Sequence, residues 1–222
     1  MYEFSWHMSN VGESHPLLGP LSEIVGVHHV ADEDFVRRSY TRGPFQVLGG
    51  GSRGRVPGIV VRPADSDQVA RIMRLANESL TPVVPKGGGG SAAAFPPHHV
   101  GHDGNILLDT TRLNRIDIDR EAMTVTAQSG AILSNVQAEA RKRGLHFFAV
   151  DVPVHMDTIG GVCSGFLGGG EPSDVATAGP MNAYLLGLTV VLPTGLVVRT
   201  GGGRAPTCGS RRHCTARRAV PT

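Results

Sequence analysis

The sequence predicts an α+β fold, in which helices and short β-hairpins follow one another along the chain. Short runs rich in β-branched residues alternate with stretches whose apolar residues recur at helical spacing. Two pairs of predicted strands are separated only by short polar turns, which favours antiparallel hairpins over a pure series of βαβ units. No internal repeat is present.

Composition indicates a folded chain with an excess of glycine. The 222 residues are 40% hydrophobic and 18% charged, which suffices for a core. There are 30 glycines, against about 16 in an average chain of this length. Clusters of glycine indicate loops where the backbone approaches another group closely; they lie at 49–51, 87–90, 168–170 and 201–203.

The net charge of +2 comes from the C-terminal tail. Residues 204–222 hold five arginines and no acidic residue, and without them 16 basic residues stand against 19 acidic ones, a net charge of −3. This balance gives no indication of nucleic-acid binding. The sequence contains no apolar run of transmembrane length and no secretory signal, so we expect a cytoplasmic protein. Three cysteines do not form a disulfide framework.

The first half of the chain predicts two helices and three strands. A helix is expected around Asp32–Tyr40, and strands are expected at Ile59–Pro63, at Pro82–Pro85 and at Asn105–Asp109. The second helix begins at Asp65, whose carboxylate can cap it, while the Gln68 side chain can reach back to the cap amide. Its apolar face is predicted to comprise Val69, Ile72, Met73, Ala76 and Leu80.

The second half predicts two hairpins and two further helices. The hairpins are Ile116–Ile118 with Met123–Ala127, and Leu186–Leu192 with Leu196–Thr200. A helix at Ala131–Arg143 ends before Gly144, and its inward residues are Ile132, Leu133, Val136 and Ala140. Between this helix and the second hairpin, the small and apolar segment Thr158–Leu167 predicts a short, closely packed helix.

The segment Pro85-Lys86-Gly87-Gly88-Gly89-Gly90-Ser91 is the strongest candidate for a binding site. It follows a predicted strand directly, and successive glycines let backbone amides converge on one point without side chains in the way. Such a concave set of N–H groups binds anions, above all phosphate. Lys86 adds a positive charge and Ser91 a hydroxyl donor.

Three other interpretations of this loop are weaker. Gly87, Gly89 and Ala92 satisfy the dinucleotide-binding spacing, but Pro96-Pro97 leaves no room for the helix that a Rossmann fold requires. A P-loop needs its lysine after the glycines, and here it precedes them. A flexible linker is the plain alternative for a run of glycines, but the preceding Val-Val-Pro-Lys strand argues against it.

Several segments, in this order, resemble one family. They are Pro-Gly-Ile-Val-Val-Arg-Pro (57–63), Thr-Pro-Val-Val-Pro-Lys-Gly-Gly-Gly-Gly-Ser (81–91), Asn-Ile-Leu-Leu-Asp-Thr-Thr-Arg-Leu-Asn-Arg-Ile (105–116), Thr-Ile-Gly-Gly (158–161) and Leu-Gly-Leu-Thr-Val-Val-Leu-Pro-Thr-Gly (186–195). The chain resembles the FAD-linked oxidases of the vanillyl-alcohol-oxidase type, which carry a PCMH-type FAD-binding domain. Glycolate oxidase flavin subunits and D-lactate dehydrogenases belong to that family. The resemblance covers roughly residues 55–203.

The resemblance implies a fold of two α+β subdomains that clamp FAD. The glycine loop would hold the pyrophosphate through its amides, and a second small-residue region would let the flavin lie against backbone. Carried onto this chain, the cofactor-binding residues are Lys86, Gly87, Gly88, Gly89, Gly90 and Ser91, together with Thr158, Ile159, Gly160, Gly161, Ser164 and Gly165. Lys86 and Gly90 replace the arginine and threonine of the usual loop, and lysine lacks the planar fork of arginine.

The resemblance also bears on attachment and activity. Some relatives bind FAD covalently through a histidine in or near the loop, and none lies between Lys86 and Phe95, so non-covalent binding is expected. The implied reaction of the full-length protein is oxidation of a small 2-hydroxy acid such as D-lactate or glycolate. A flavin-binding module without catalysis of its own is the alternative, and a cell-wall precursor reductase of the same flavin fold is a third. No catalytic residue is assigned.

Histidines and cysteines outside these segments suggest no site of their own. His98, His99 and His102 follow two prolines without Cys or Glu beside them, and Cys208, His213 and Cys214 fit no familiar zinc spacing, so no metal is expected. His28-His29 is treated in the same way. His155 lies close in sequence to Thr158, but a structural role is the simpler interpretation. Cys163 is expected to be a packing residue.

The chain is divided into an N-terminal extension (1–54), the FAD-binding domain (55–203) and a basic irregular tail (204–222). In the resembling family a cap domain follows, which closes over the flavin and supplies most substrate-binding groups. We expect this substrate domain to be absent and the tail to reflect a change of reading frame or a truncated gene model; a genuine basic tail that binds an acidic partner is the alternative.

Overall fold

The computed structural model describes residues 14–40, 56–89, 104–146, 157–164 and 184–201. A four-stranded sheet organises the first half of the chain. Strands β2 (Ile59–Val61), β4 (Ile106–Asp109) and β3 (Val83–Lys86) are parallel, and the short β1 (Val30–Ala31) pairs antiparallel with β2, in the order β1-β2-β4-β3. All residues of β2 and β4 are buried, as expected of central parallel strands that are covered on both faces.

One face of this sheet packs against two helices. Helix α1 (Leu18–Val25) buries Leu21 and Val25, and helix α3 (Ser66–Glu78) buries Ala70, Ile72 and Ala76. Together with side chains from the strands they form one apolar cluster, which comprises Leu21, Val25, Val30, Ile59, Val61, Ile72, Ala76, Ile106 and Leu108. Burial of this kind of surface, worth about 25 cal/mol per Å² of apolar area, is the main stabilising term of the layer.

The N-terminal segment takes part in this sheet. Strand β1 pairs Val30 with Val61, and the Arg62 amide donates to the His29 carbonyl oxygen at 2.9 Å. Helix α2 (Asp34–Ser39) follows within the predicted range 32–40. The boundary that the sequence analysis placed at residue 54 stays a prediction.

Helix α3 begins as the sequence predicts but ends earlier. The Asp65 carboxylate accepts from the Gln68 amide at 2.8 Å. The Gln68 side chain reaches back one residue further than expected, and accepts from the Ala64 amide at 2.7 Å. The assignment of Leu80 to the apolar face is wrong: the helix ends at Glu78, and Leu80 has φ +51° and is 89% exposed. Helical spacing no longer governs a residue beyond the last turn.

The second half contains two hairpins and two helices. Strands β5 (Ile116–Asp119) and β6 (Thr124–Ala127) form the first hairpin, and β7 (Leu188–Val191) and β8 (Val197–Thr200) form the second. Helix α4 (Leu133–Lys142) buries Leu133, Val136 and Ala140, and its predicted stop, Gly144, has φ +69°. Helix α5 (Ile159–Ser164) is short. Within the described ranges, none of the helices has the length and apolar character of a membrane span.

Candidate functional site

The predicted glycine loop starts at the carboxyl edge of the parallel strands. Lys86 is the last residue of β3 and lies in register with Asp109, the last residue of β4. The Lys86 carbonyl oxygen accepts from the Thr110 amide at 2.9 Å and from the Thr110 hydroxyl at 3.1 Å. These bonds fix the first residue of the loop against the neighbouring strand. Ligands of open α/β sheets commonly bind outside this edge.

In the described part of the loop, the Lys86 side chain lies close to the glycine backbone. Gly89 has φ +73°, a conformation that L side chains rarely adopt. The Lys86 side chain folds back over the loop, where its ammonium donates to the Gly87 carbonyl oxygen at 3.4 Å. A Cβ atom at Gly89 would lie 3.3 Å from the Lys86 Nζ atom. Gly90 and Ser91 lie outside the described residues.

The second predicted region, Thr158–Gly161, is built onto the turn that precedes α4. The Ile159 amide donates to the Ala131 carbonyl oxygen at 2.8 Å, and the Gly160 amide donates to the Ser129 carbonyl oxygen at 2.7 Å. A Cβ atom at Gly160 would lie 2.7 Å from the Ser129 Cβ atom. Glycine is therefore needed at position 160 for a close approach of two backbone segments.

The two predicted regions touch each other at Thr158. This side chain is 2% exposed, and its hydroxyl oxygen accepts from the Gly161 amide at 3.3 Å. A Cβ atom added at Gly87 would overlap the same oxygen. The structure thus brings the start of the glycine loop against the start of α5, although they are far apart in sequence.

The positions of the remaining predicted site residues say less about ligand binding. The Ser164 hydroxyl donates to the Gly160 carbonyl oxygen at 2.7 Å, so its proton is already used. Gly88 follows Gly87 in the described loop and is partly buried. Gly165 and His155 lie outside the described residues, as do the histidines at 98–102 and the cysteines of the tail.

Two residues that the sequence analysis did not assign complete this edge. The Tyr40 hydroxyl donates to the Asp109 Oδ2 atom at 2.6 Å, and the Thr111 amide donates to Oδ1 at 2.8 Å. The Lys86 ammonium lies 5.3 Å from the centroid of the Tyr40 ring. Burial, followed by the hydrogen bond to Asp109, raises the pKa of Tyr40 above its ordinary value, so the phenol stays protonated.

Chemically, this edge suits an anion. It offers glycine backbone and an ammonium group, which are the elements of a phosphate site. Among the described residues, no group of three His, Cys, Asp or Glu side chains is arranged to hold a metal ion. Burial raises the pKa of the Cys163 thiol, which keeps it in the unreactive protonated form.

Known proteins resemble the chain in sequence. The family model of the FAD binding domain matches residues 57–201. The D-lactate dehydrogenase of Anaerostipes hadrus is 30% identical over 146 residues, which are 65% of this chain and 29% of that protein. Glycolate oxidase subunit GlcD of Bacillus subtilis is 30% identical over 150 residues, 66% of this chain and 30% of that protein. The chain therefore spans less than a third of the length of these two relatives.

The fold is shared with solved structures. Alkyldihydroxyacetonephosphate synthase superposes with a TM-score of 0.71 at 21% identity, over 91% of this chain and 38% of that one. This likeness confirms the predicted α+β fold of the PCMH type. Because the family match covers most of the chain and includes the glycine loop, FAD is confirmed as its cofactor. The chain belongs to the family of the FAD binding domain, whose model matches residues 57–201.

Proposed function

We propose that the loop 86–91 and the segment 158–165 hold the pyrophosphate and the adjoining flavin of FAD without a covalent bond. The observation that carries this proposal is the contact at Thr158, which joins the two regions at one place. Neither region would form such a site alone, because each contributes one side of a backbone-lined surface. A pyrophosphate that bridges both would use amides from the loop and the ammonium of Lys86.

The residues present in these two regions fit the pyrophosphate group of FAD. Gly87 allows the close approach of the loop to Thr158, and Gly89 adopts a positive φ at little cost. Glycine at both positions thus supports the backbone conformation that we assign to phosphate binding. Lys86 supplies a charge that is partly buried and directed over the loop. A lysine binds phosphate as a point charge, whereas the arginine of the usual loop would bind it through a planar fork.

Non-covalent attachment is part of the proposal. No histidine lies between Lys86 and Phe95. Acid precipitation of the FAD-loaded protein should leave the flavin in the supernatant. Flavin that stays with the precipitated chain would contradict this point.

For the full-length protein we propose oxidation of a small 2-hydroxy acid. The support is the 30% identity to proteins named D-lactate dehydrogenase and glycolate oxidase subunit. Bound FAD would accept the hydride equivalent. The residues of this chain would bind and orient the cofactor, and the groups that bind substrate and remove its proton are not assigned. A cytoplasmic location and the absence of a nucleic-acid partner likewise stay predictions.

An activity assay distinguishes this oxidase from the alternative, a flavin-binding module without catalysis. Purified chain is loaded with FAD, checked by its absorbance near about 450 nm, and supplied with a panel of 2-hydroxy acids and an artificial electron acceptor. Saturable reduction of the acceptor with one of these acids supports an oxidase. FAD binding without turnover on any of them means that this chain by itself acts as a flavin-binding module.

The binding site itself is tested by a matched pair of glycine variants. Gly89→Val and Gly144→Val both place a β-branched residue at a positive φ, +73° and +69°, and each costs about 1–3 kcal/mol of backbone strain. Only Gly89 lies in the loop, whereas Gly144 has open space around it. We expect the first variant to weaken FAD binding, measured by fluorescence titration, at least about tenfold, a loss of about 1.4 kcal/mol, and the second to leave it unchanged. Equal affinity in both would sink the pyrophosphate assignment.

A further inference from the structure

Tyr40 and Asp109 form a closed unit beneath the glycine loop. Asp109 is 4% exposed, and its two carboxylate oxygens accept from the Tyr40 hydroxyl at 2.6 Å and from the Thr111 amide at 2.8 Å. A buried carboxylate needs such partners because burial of an unpaired charge is costly. The unit therefore fixes the orientation of the Tyr40 ring relative to the end of β4.

The ring in turn lies beneath the ammonium of Lys86. The Nζ atom is 5.3 Å from the ring centroid and 3.4 Å from the Gly87 carbonyl oxygen. A cation at this distance from an aromatic face is attracted to it by the negative potential of the ring. The contact joins the N-terminal segment, which is described over residues 14–40, to the loop that follows β3.

We propose that Tyr40 and Asp109 are positioning residues, which hold the Lys86 ammonium over the glycine loop so that it meets a bound pyrophosphate. This inference rests on the function proposed for Lys86. A lysine has a flexible four-carbon stem, and restraint before binding reduces the entropy lost when its ligand arrives. Tyr40 would supply the restraint that the planar arginine fork provides by its own rigidity.

The hydrogen bonds of Asp109 and the surroundings of the Lys86 ammonium support the same role. Both oxygens of Asp109 already have hydrogen-bond partners in Tyr40 and Thr111. Across the described ranges, Lys86 forms no ion pair within 4.0 Å. An aromatic face attracts the ammonium without neutralising it, so its charge remains available to an anion. A carboxylate in the same place would compete with phosphate.

The first test needs no FAD and reports on the position of Lys86 alone. The chain has two lysines, Lys86 and Lys142, and Lys142 lies beside Glu139 on the distant helix α4. In a sample labelled only at lysine, the ring current of Tyr40 should shift the side-chain resonances of Lys86 upfield of those of Lys142. Tyr40→Leu should abolish this shift. A Lys86 spectrum that does not change in the variant would overturn the proposal.

The second test is a double-mutant cycle on the full chain, read out by titration with FAD and with riboflavin, which has no phosphate. Tyr40→Leu should raise the Kd for FAD about two- to fivefold in the Lys86 background. It should have no further effect in the Lys86→Ala background and none on the Kd for riboflavin. Lys142→Ala is the control and should leave both values unchanged.

Each outcome decides between roles. An equal loss of FAD affinity in both backgrounds would mean that Tyr40 is merely structural and would overturn the proposal. If Lys86→Ala leaves the FAD affinity unchanged although the wild-type chain shows the upfield shift of Lys86, the role of Lys86 in binding is refuted. If Tyr40→Leu does not fold, Tyr40→Phe serves, because it keeps the ring but loses the bond to Asp109. It should reduce the upfield shift and weaken FAD binding, and no change in either would overturn the role of Asp109.

Discussion

Thr158 is the residue at which the two halves of the candidate site meet. Its hydroxyl oxygen accepts from the Gly161 amide, and it occupies the position that a side chain at Gly87 would need. Gly87 is thus required for a close approach, whereas Gly89 is required for its backbone conformation. A steric contact thus requires glycine at position 87, and a positive φ favours it at position 89.

Gly87→Ala tests this contact. The added methyl group would overlap the Thr158 hydroxyl, so we expect a loss of about 1–3 kcal/mol in the free energy of unfolding, as for other overpacked sites. Thr158→Ala removes the atom that is overlapped. The double variant should therefore be more stable than the sum of the two single effects implies, by about 0.5–3 kcal/mol in a denaturant-unfolding cycle. Additive effects would show that the two residues do not touch.

Among single residues, sequence analysis identified those that belong to a recognisable local motif. Lys86 and its glycines stand out as a strand followed by a loop, and the structure places Gly87 against Thr158. The assignment of both regions to the cofactor stays a prediction. Tyr40 and Asp109 could not be found in this way. Asp109 ends a recognised strand and Tyr40 ends a predicted helix, but no local pattern relates these two residues. The bond between them exists only once β4 and α2 are both in place.

Helix α3 shows how far a local signal carries at the scale of an element. The cap at Asp65 fixes its start, and a side chain that bonds the first free amides is worth about 0.5–2 kcal/mol. Its end had no such signal: Ser79 and Leu80 follow without glycine or proline, and the predicted apolar face ran one turn too far.

Asp65→Ala should lower the free energy of unfolding by about 1 kcal/mol, because it removes the acceptor of the Gln68 amide. Asp65→Asn is the matched control, since asparagine caps about as well. Both are measured by urea unfolding followed by circular dichroism. Equal destabilisation by the two substitutions would mean that the charge of Asp65, and not its capping bond, stabilises the helix.

Strands and hairpins were predicted well and the N-terminal elements poorly, for a physical reason. β2, β3 and β4 are short apolar runs bounded by proline or polar residues, and both hairpins have local turns. Helix α1 begins after His15-Pro16 and contains Gly19 and Pro20 in its first turn, residues that disfavour helix interiors. It forms because Leu21 and Val25 pack on the sheet, and such tertiary packing is invisible to a local pattern.

At the scale of the molecule, the second hairpin leaves apolar side chains exposed while its turn is anchored. Leu186, Leu188 and Val190 are each about two-fifths exposed. Gly195, at the turn, is buried against α3, where a Cβ atom would lie 2.6 Å from the Ala70 carbonyl oxygen. The turn of this hairpin is therefore held against α3.

The candidate site contains residues from two parts of the chain, and a ligand that binds there should stabilise the folded state. The loop after β3 belongs to the main sheet, and Thr158–Gly161 belongs to the unit of α4 and α5. A ligand that binds only the folded chain adds about 2.7 kcal/mol at a concentration of 100 Kd. For a chain of this size that corresponds to a rise in Tm of about 5–10 °C, measured by circular dichroism.

Riboflavin at the same multiple of its own Kd serves as the reference for binding without phosphate, and the Gly89→Val variant should need far more FAD to reach the same rise. If riboflavin binds as tightly as FAD, the pyrophosphate contributes nothing and the loop 86–91 is not its site.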